Sequence, residues 1–219
     1  MRINEDYLET DELSSDITDD FNYRREVIEE IQRWVQNGEE LSFDPQVLPD
    51  AFIKPSYIKE MISGNYNDEL VALCHMTIKL CGSDCNLNWI DTSEIINMNS
   101  LTMGISNFFN GDVTRWDVSN VRDMSFMFCG CVHFNRDISK WKTGKVRNMQ
   151  YMFSVAESFN CDISGWDVHN VTNMQAMFRD SAIDCDLSKW NVDKVKNHRD
   201  MFVRTKMEFD YDRQPKFKT

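Results

Sequence analysis

The sequence predicts an α/β repeat solenoid, with one short parallel strand and one short helix per turn, behind an N-terminal α-helical cap. Three observations predict it. Trp116, Trp141, Trp166 and Trp190 recur at intervals of 25, 25 and 24 residues. The residues around each tryptophan change in step with it. The chain before residue 85 lacks this period and shows helical spacing instead. A 25-residue unit of two short elements cannot bury its own apolar face, so copies must stack, with strands about 4.8 Å apart. The sequence does not choose the hand of the coil.

The strand of each unit is read from the residues before its tryptophan. An aspartate stands four positions ahead (Asp112, Asp137, Asp162, Asp186), then an inward apolar residue (Val113, Ile138, Ile163, Leu187) and a hydroxyl (Thr114, Ser139, Ser164, Ser188). The helix is read from the residues after it. Val121, Met124, Met127 and Phe128 stand at i, i+3, i+6 and i+7, one side of two helical turns. The same pattern returns at Val146, Met149, Met152 and Phe153, and at Val171, Met174, Met177 and Phe178. In the next unit, Val195, Met201 and Phe202 keep their places and His198 takes a methionine's place, explained by exposure near the end of the stack. Leu87, Ile90, Ile95, Met98 and Leu101 form a degenerate first turn with Ile90 in the tryptophan slot. Phe209-Asp210-Tyr211-Asp212 echoes Phe134-Asn135-Arg136-Asp137, and Pro215 with the charged tail then ends the array.

Ahead of the repeats, Val27, Ile28, Ile31, Trp34 and Val35 mark an amphipathic helix that Gly38 stops. Pro55 to Gly64 reads as a second helix and Asp68 to Gly82 as a third. The prolines between the first two make that stretch a loop or short strand. The expected organisation is a flexible acidic leader over 1–20, a helical cap over 21–84, the repeats over 85–212 and a tail over 213–219.

The net charge of −12 belongs to the N-terminus: residues 1–50 hold fifteen acids against four arginines, and residues 101–219 are almost neutral, with fifteen acids and seventeen bases. That balance argues against a nucleic-acid partner held by a basic face. No apolar run approaches the roughly 18 residues of a membrane span, and the first twenty residues do not read as a signal peptide. Seven cysteines without a paired framework fit a reducing cytoplasm.

The repeats FNRDISKWKTGKVRNMQYMF and FNCDISGWDVHNVTNMQAMF resemble the BspA-like, DUF285 type of leucine-rich-repeat protein, whose units read roughly FNxDISxWDTSxVTNMxxMFxGC. The resemblance covers about half of the chain. It implies a leucine-rich-repeat-like stack and a role in surface adhesion or host interaction.

Candidate sites follow from what the core leaves outside. Arg115, Lys140 and Lys189 form one basic stripe, and Arg122, Arg147 and Lys196 another. Phe126 and Tyr151 share an exposed column. Glu5, Asp6, Glu9, Asp11, Glu12, Asp16, Asp19 and Asp20 form an acidic arm for a basic partner or for the chain's own stripes. The Asn110, Asn135, Asn160, Asp184, Asp210 column is weighed as a calcium ladder, with backbone pairing at the corners favoured. Cys161 and Cys185 share a column without the spacing of a zinc site, and Cys131 fills a small buried slot. His75, His133, His169 and His198 share no motif, and neither a phosphate loop nor a nucleophile elbow is present. The expectation is a noncatalytic protein-interaction module without cofactor or metal, an intracellular inhibitor or effector of viral, phage or bacterial origin. The alternatives are an exported adhesin and a metal-dependent enzyme.

Overall fold

The computed structural model describes residues 23, 25–31, 33, 42–48, 52, 54–55 and 68–218. The acidic arm, Trp34, Val35 and the helix expected over 56–64 lie outside them. Two compact units divide at Phe43/Asp44. In the first, residues 23, 25–31 and 33 are helical, with Val27 and Ile31, one turn apart, buried. Ser42 binds Glu30 there through its amide and, at 2.9 Å, its hydroxyl.

The second unit begins with a 3-10 turn, Pro45–Val47, whose cap residue Asp44 accepts the Gln46 N–H at 2.9 Å. The α-helix Asp68–Cys81 follows with Leu70, Leu73, Cys74 and Met76 buried. Gly82, at φ 90°, ends it, a left-handed position that glycine takes without steric cost. Its C-terminal end agrees with the sequence reading.

The α/β expectation fails. No strand occurs among the described residues, and the repeats contain no α-helix. Each repeat is a chain of turns, and alternate amides explain why. Met124, Phe126, Phe128 and Gly130 donate forward to the carbonyls of Asn148, Gln150, Met152 and Ser154 in the next layer, at 2.8–2.9 Å. Met127, Cys129 and Cys131, lying between them, donate back three residues within their own layer at 3.1–3.3 Å. A helix would take every amide inward and a strand would take none inward; here the two uses alternate. The next layers repeat the scheme: Met149, Tyr151, Phe153 and Val155 donate to Asn173, Gln175, Met177 and Arg179.

Two left-handed residues per repeat hold this path. Phe126, Tyr151, Ala176 and Asp200 have φ between 49° and 58°, and Gly130, Val155, Asp180 and Arg204 lie between 57° and 75°. Left-handed backbone costs an L-residue about 1–2 kcal/mol, which the interlayer bonds and the buried columns offset. Isolated parallel bridges link Asn97, Asp123, Asn148, Asn173 and Asn197, one per layer, and Asn86 pairs with Asp112 in the same sense.

The core columns are those read from the sequence. Val121, Met124, Met127, Phe128 and their counterparts in the next two layers are fully buried. Phe128, Phe153, Phe178 and Phe202 stack with centroids 5.7–5.9 Å apart. Phe134 and Phe159 lie against the first two of these at 4.0 and 3.8 Å. The Trp116, Trp141 and Trp166 indoles donate to the carbonyls of Leu87, Val113 and Ile138 in the preceding layer, at 2.8, 3.3 and 3.1 Å.

The C-terminal echo does not pack as read. Phe209 is 77 % exposed, whereas Phe109, Phe134 and Phe159 are fully buried, and Met207 is buried two residues earlier instead. Arg213 ties this end down, binding Asp184 and Asp210 at 2.7 Å each. His198 is exposed and stacks on Phe217, centroids 3.9 Å apart.

Candidate functional site

In every layer at least two corners are closed by a side chain that accepts the amide two residues on. Asp112, Asp137, Asp162 and Asp186 accept the N–H of Thr114, Ser139, Ser164 and Ser188 at 2.9–3.0 Å. Asn97, Asp123, Asn148, Asn173 and Asn197 do the same for the residues two positions after them, at 2.8–3.2 Å. These short polar side chains satisfy amides that a tight turn leaves without a backbone acceptor. Bonds from Ser164 hold the Asp162 carboxyl below the usual carboxylate range, and Ser139 and Ser188 do so for Asp137 and Asp186.

The Asn column has an interlayer role of its own. Asn110, Asn135 and Asn160 accept the backbone N–H of Asn135, Asn160 and Asp184 in the following layer, at 3.4, 2.9 and 2.8 Å. Among the described residues no three His, Cys, Asp or Glu side chains are grouped so as to hold a metal ion. The thiols are poor nucleophiles: burial pushes Cys85 and Cys131 up to about 12, and Cys81 and Cys185 up to about 11. Cys131 occupies the small buried slot that Ala156 fills in the next layer.

Outside the core, the columns become rows of exposed side chains set one per layer. Arg115, Lys140 and Lys189 are exposed, with Gly165 between the last two. Arg122, Arg147 and Lys196 are exposed in a second column, which Thr172 continues. Its backbone is tied layer to layer: the amides of Arg147, Thr172 and Lys196 donate to the carbonyls of Arg122, Arg147 and Thr172, each at 2.8 Å. Neither Arg122, Arg147 nor Lys196 forms an ion pair with a described residue. Phe126 and Tyr151 are half-buried and stack at 4.9 Å with 13° between the ring planes.

The sequence reading passed over Lys142. The column one residue after the tryptophan slot reads Asp91, Asp117, Lys142, Asp167, Asn191, so a cation stands where every other layer has a corner acceptor. A cleft of about 490 Å³ opens beside it, lined in part by Lys140, Lys142, Lys145, Gly144 and Gly165. Reading that column for its exception would have found it.

No helix among the described residues is long and apolar enough to cross a membrane. Neither the curated proteins nor the solved structures include a match to this chain. The family model described as "Mycoplasma protein of unknown function, DUF285" matches residues 75–183 and, overlapping them, 156–214. Those matches span the Asp68–Cys81 helix from its middle and all of the stacked turns, and the chain belongs to the DUF285 family.

Proposed function

We propose that this protein is a noncatalytic interaction module that holds an acidic protein segment along the basic columns of its stacked turns. The observation that carries the reading is the Arg122, Arg147, Lys196 column: exposed, tied to the interlayer backbone ladder and without an acidic partner among the described residues. The ladder sets successive rows about 4.8 Å apart, so these cations keep a fixed pitch. A rigid row of like charges steers an opposite partner, and its backbone has little conformational freedom left to lose on binding. Arg115, Lys140 and Lys189 add a second row, and the Phe126/Tyr151 stack offers a flat apolar face of the kind that anchors interfaces. The free thiols of all the cysteines support a reducing compartment for this role.

The test uses fluorescence anisotropy with a labelled random copolymer of glutamate and tyrosine, titrated with full-length protein at low salt. Saturable binding is expected, weakened about tenfold or more by Arg122→Glu/Arg147→Glu/Lys196→Glu and by raised salt. Equal binding by that variant, or none by the native protein, contradicts the reading.

A further inference from the structure

One corner of one layer lacks the group that closes it everywhere else. After the tryptophan slot, Asp91, Asp117, Asp167 and Asn191 accept the N–H of Ser93, Ser119, His169 and Asp193 at 2.9–3.2 Å. The second full layer has Lys142 there, and an ammonium group has three donors and no acceptor. The Gly144 N–H, counterpart of those four amides, has no acceptor among the described residues. The rest of the corner keeps its form. Thr143 Oγ1 donates to Asp167 O at 3.0 Å, as Thr92 Oγ1 does to Asp117 O, and Val146 N–H closes the turn on Thr143 O at 2.9 Å. The Gly144 carbonyl accepts from Asn170 at 2.7 Å, so the amide alone is unused.

The space at this corner suits an anion. Lys140, Lys142 and Lys145 line the cleft. Gly165 interrupts the Arg115, Lys140, Lys189 column, and a Cβ built on it meets nothing within 4 Å, so the third layer leaves the cleft open. A Cβ on Gly144 would come within 2.9 Å of Asp167 Oδ2, which fits a glycine at this position. Two acids stand near: Asp167, which itself lines the cleft, is held by the His169 ring at 2.7 Å, and Asp117 closes its own corner, so the three lysines outnumber the one lining carboxylate. Lys145 reaches the neutral Asn120 Oδ1 at 2.6 Å, and Lys142 and Lys145 act on the Asp117 carboxylate without forming an ion pair with it.

We infer that this corner is an oxyanion notch, in which a carboxylate of the acidic partner segment accepts the Gly144 N–H and is neutralised by Lys140, Lys142 and Lys145. The carrier of that carboxylate rests on the interaction reading above; the notch rests on the corner geometry. A phosphate oxygen offers the same acceptor chemistry, so the test includes both anions.

Nitrogen-15-labelled full-length protein is titrated, followed by amide spectra, with acetate, with inorganic phosphate and with the glutamate–tyrosine copolymer. The Gly144 amide is expected to move downfield and saturate with the copolymer. Lys142→Asp supplies the missing acceptor internally; it is expected to leave the remaining spectrum native and to weaken the response about tenfold or more. Lys194→Met removes the ammonium group that reaches Asn170 Oδ1 at 2.6 Å two layers on, beside a closed corner, and is expected to change nothing at Gly144. Copolymer binding with an unmoved Gly144 amide, or an unaltered Gly144 response in Lys142→Asp, overturns the notch and leaves the interaction reading standing. A Gly144 amide that saturates with acetate or phosphate while the copolymer does not bind upholds the notch and overturns the interaction reading. If Lys142→Asp fails to fold, Lys142→Gln, with Lys145→Gln in the same chain, decides the matter by the same readout.

Discussion

Phe153, like Phe128 before it, sits at a junction of rings in the stacked core. It is fully buried, with Phe159 at 3.8 Å, Phe128 at 5.7 Å, Phe178 at 5.9 Å and Trp166 at 6.1 Å, so rings from its own layer and from both adjacent layers meet on it. Phe202 occupies the same column in the last layer, and its one ring neighbour among the described residues is Phe178, at 5.7 Å. Truncating a buried phenylalanine to alanine costs about 3–5 kcal/mol, and each well-placed ring pair adds about 0.5–1.5 kcal/mol beyond area. Phe153→Ala therefore belongs at the top of that range, about 5 kcal/mol. Phe202→Ala, beside a last layer able to relax into the space, belongs near about 2–3 kcal/mol. A domain holds only about 5–15 kcal/mol in all, so Phe153→Leu, at about 1–2 kcal/mol, provides a milder variant that stays folded. Urea denaturation followed by tryptophan fluorescence measures all three. Phe202→Ala costing as much as Phe153→Ala would refute a core whose energy accumulates by contact between layers.

Two more predictions concern polar groups that the layers hold. Asp117, Asp137, Asp162 and Asp186 are kept below the usual carboxylate range chiefly by the amides and hydroxyls at their corners. The unfolded chain therefore binds protons more readily than the folded one, so this stabilisation is whole above about pH 5 and is lost as pH falls through about 4 and below. Urea midpoints at pH 7, 4 and 3 should fall in that order; a constant midpoint would count against the corners. Trp166 donates to Ile138 O at 3.1 Å, whereas the buried Trp190 indole N–H has no acceptor among the described residues. Trp166→Phe should then cost about 1 kcal/mol more than Trp190→Phe, which removes an unsatisfied donor; equal urea midpoints for the two variants would contradict this.

The repeat was legible because burial repeats with it. The tryptophan ruler, the Val121, Met124, Met127, Phe128 column set and, from the degenerate first turn, Leu87, Ile90, Met98 and Leu101 reappear as the packed interior, while Ile95 is only half-buried. The secondary structure was not legible. Inward residues at i, i+3, i+6 and i+7 satisfy a helix, and they equally satisfy chained three-residue turns that hand alternate amides to the next layer. What separates the two is a left-handed residue at Phe126, Tyr151 and Ala176, and none of these is a glycine that would announce it. The end of the Asp68–Cys81 helix was legible because Gly82 supplied the stop. Phe209 misled because a matching motif does not ensure packing: Met207, two residues earlier, is buried instead. At the candidate site, the basic columns and the aromatic pair could be read by counting residues. Lys142 could be read as the exception in its column, but that the exception leaves the Gly144 amide without an acceptor among the described residues needed the structure.

The central claim, that each layer shares its amides between its own turns and the next layer, is open to direct measurement through scalar couplings across hydrogen bonds. The account predicts couplings from the Tyr151, Phe153 and Val155 nitrogens to the carbonyl carbons of Gln175, Met177 and Arg179, and from Met152 nitrogen to the Met149 carbonyl carbon. Couplings from Tyr151, Phe153 and Val155 to carbonyls four residues earlier in their own layer would restore a helix there and contradict it.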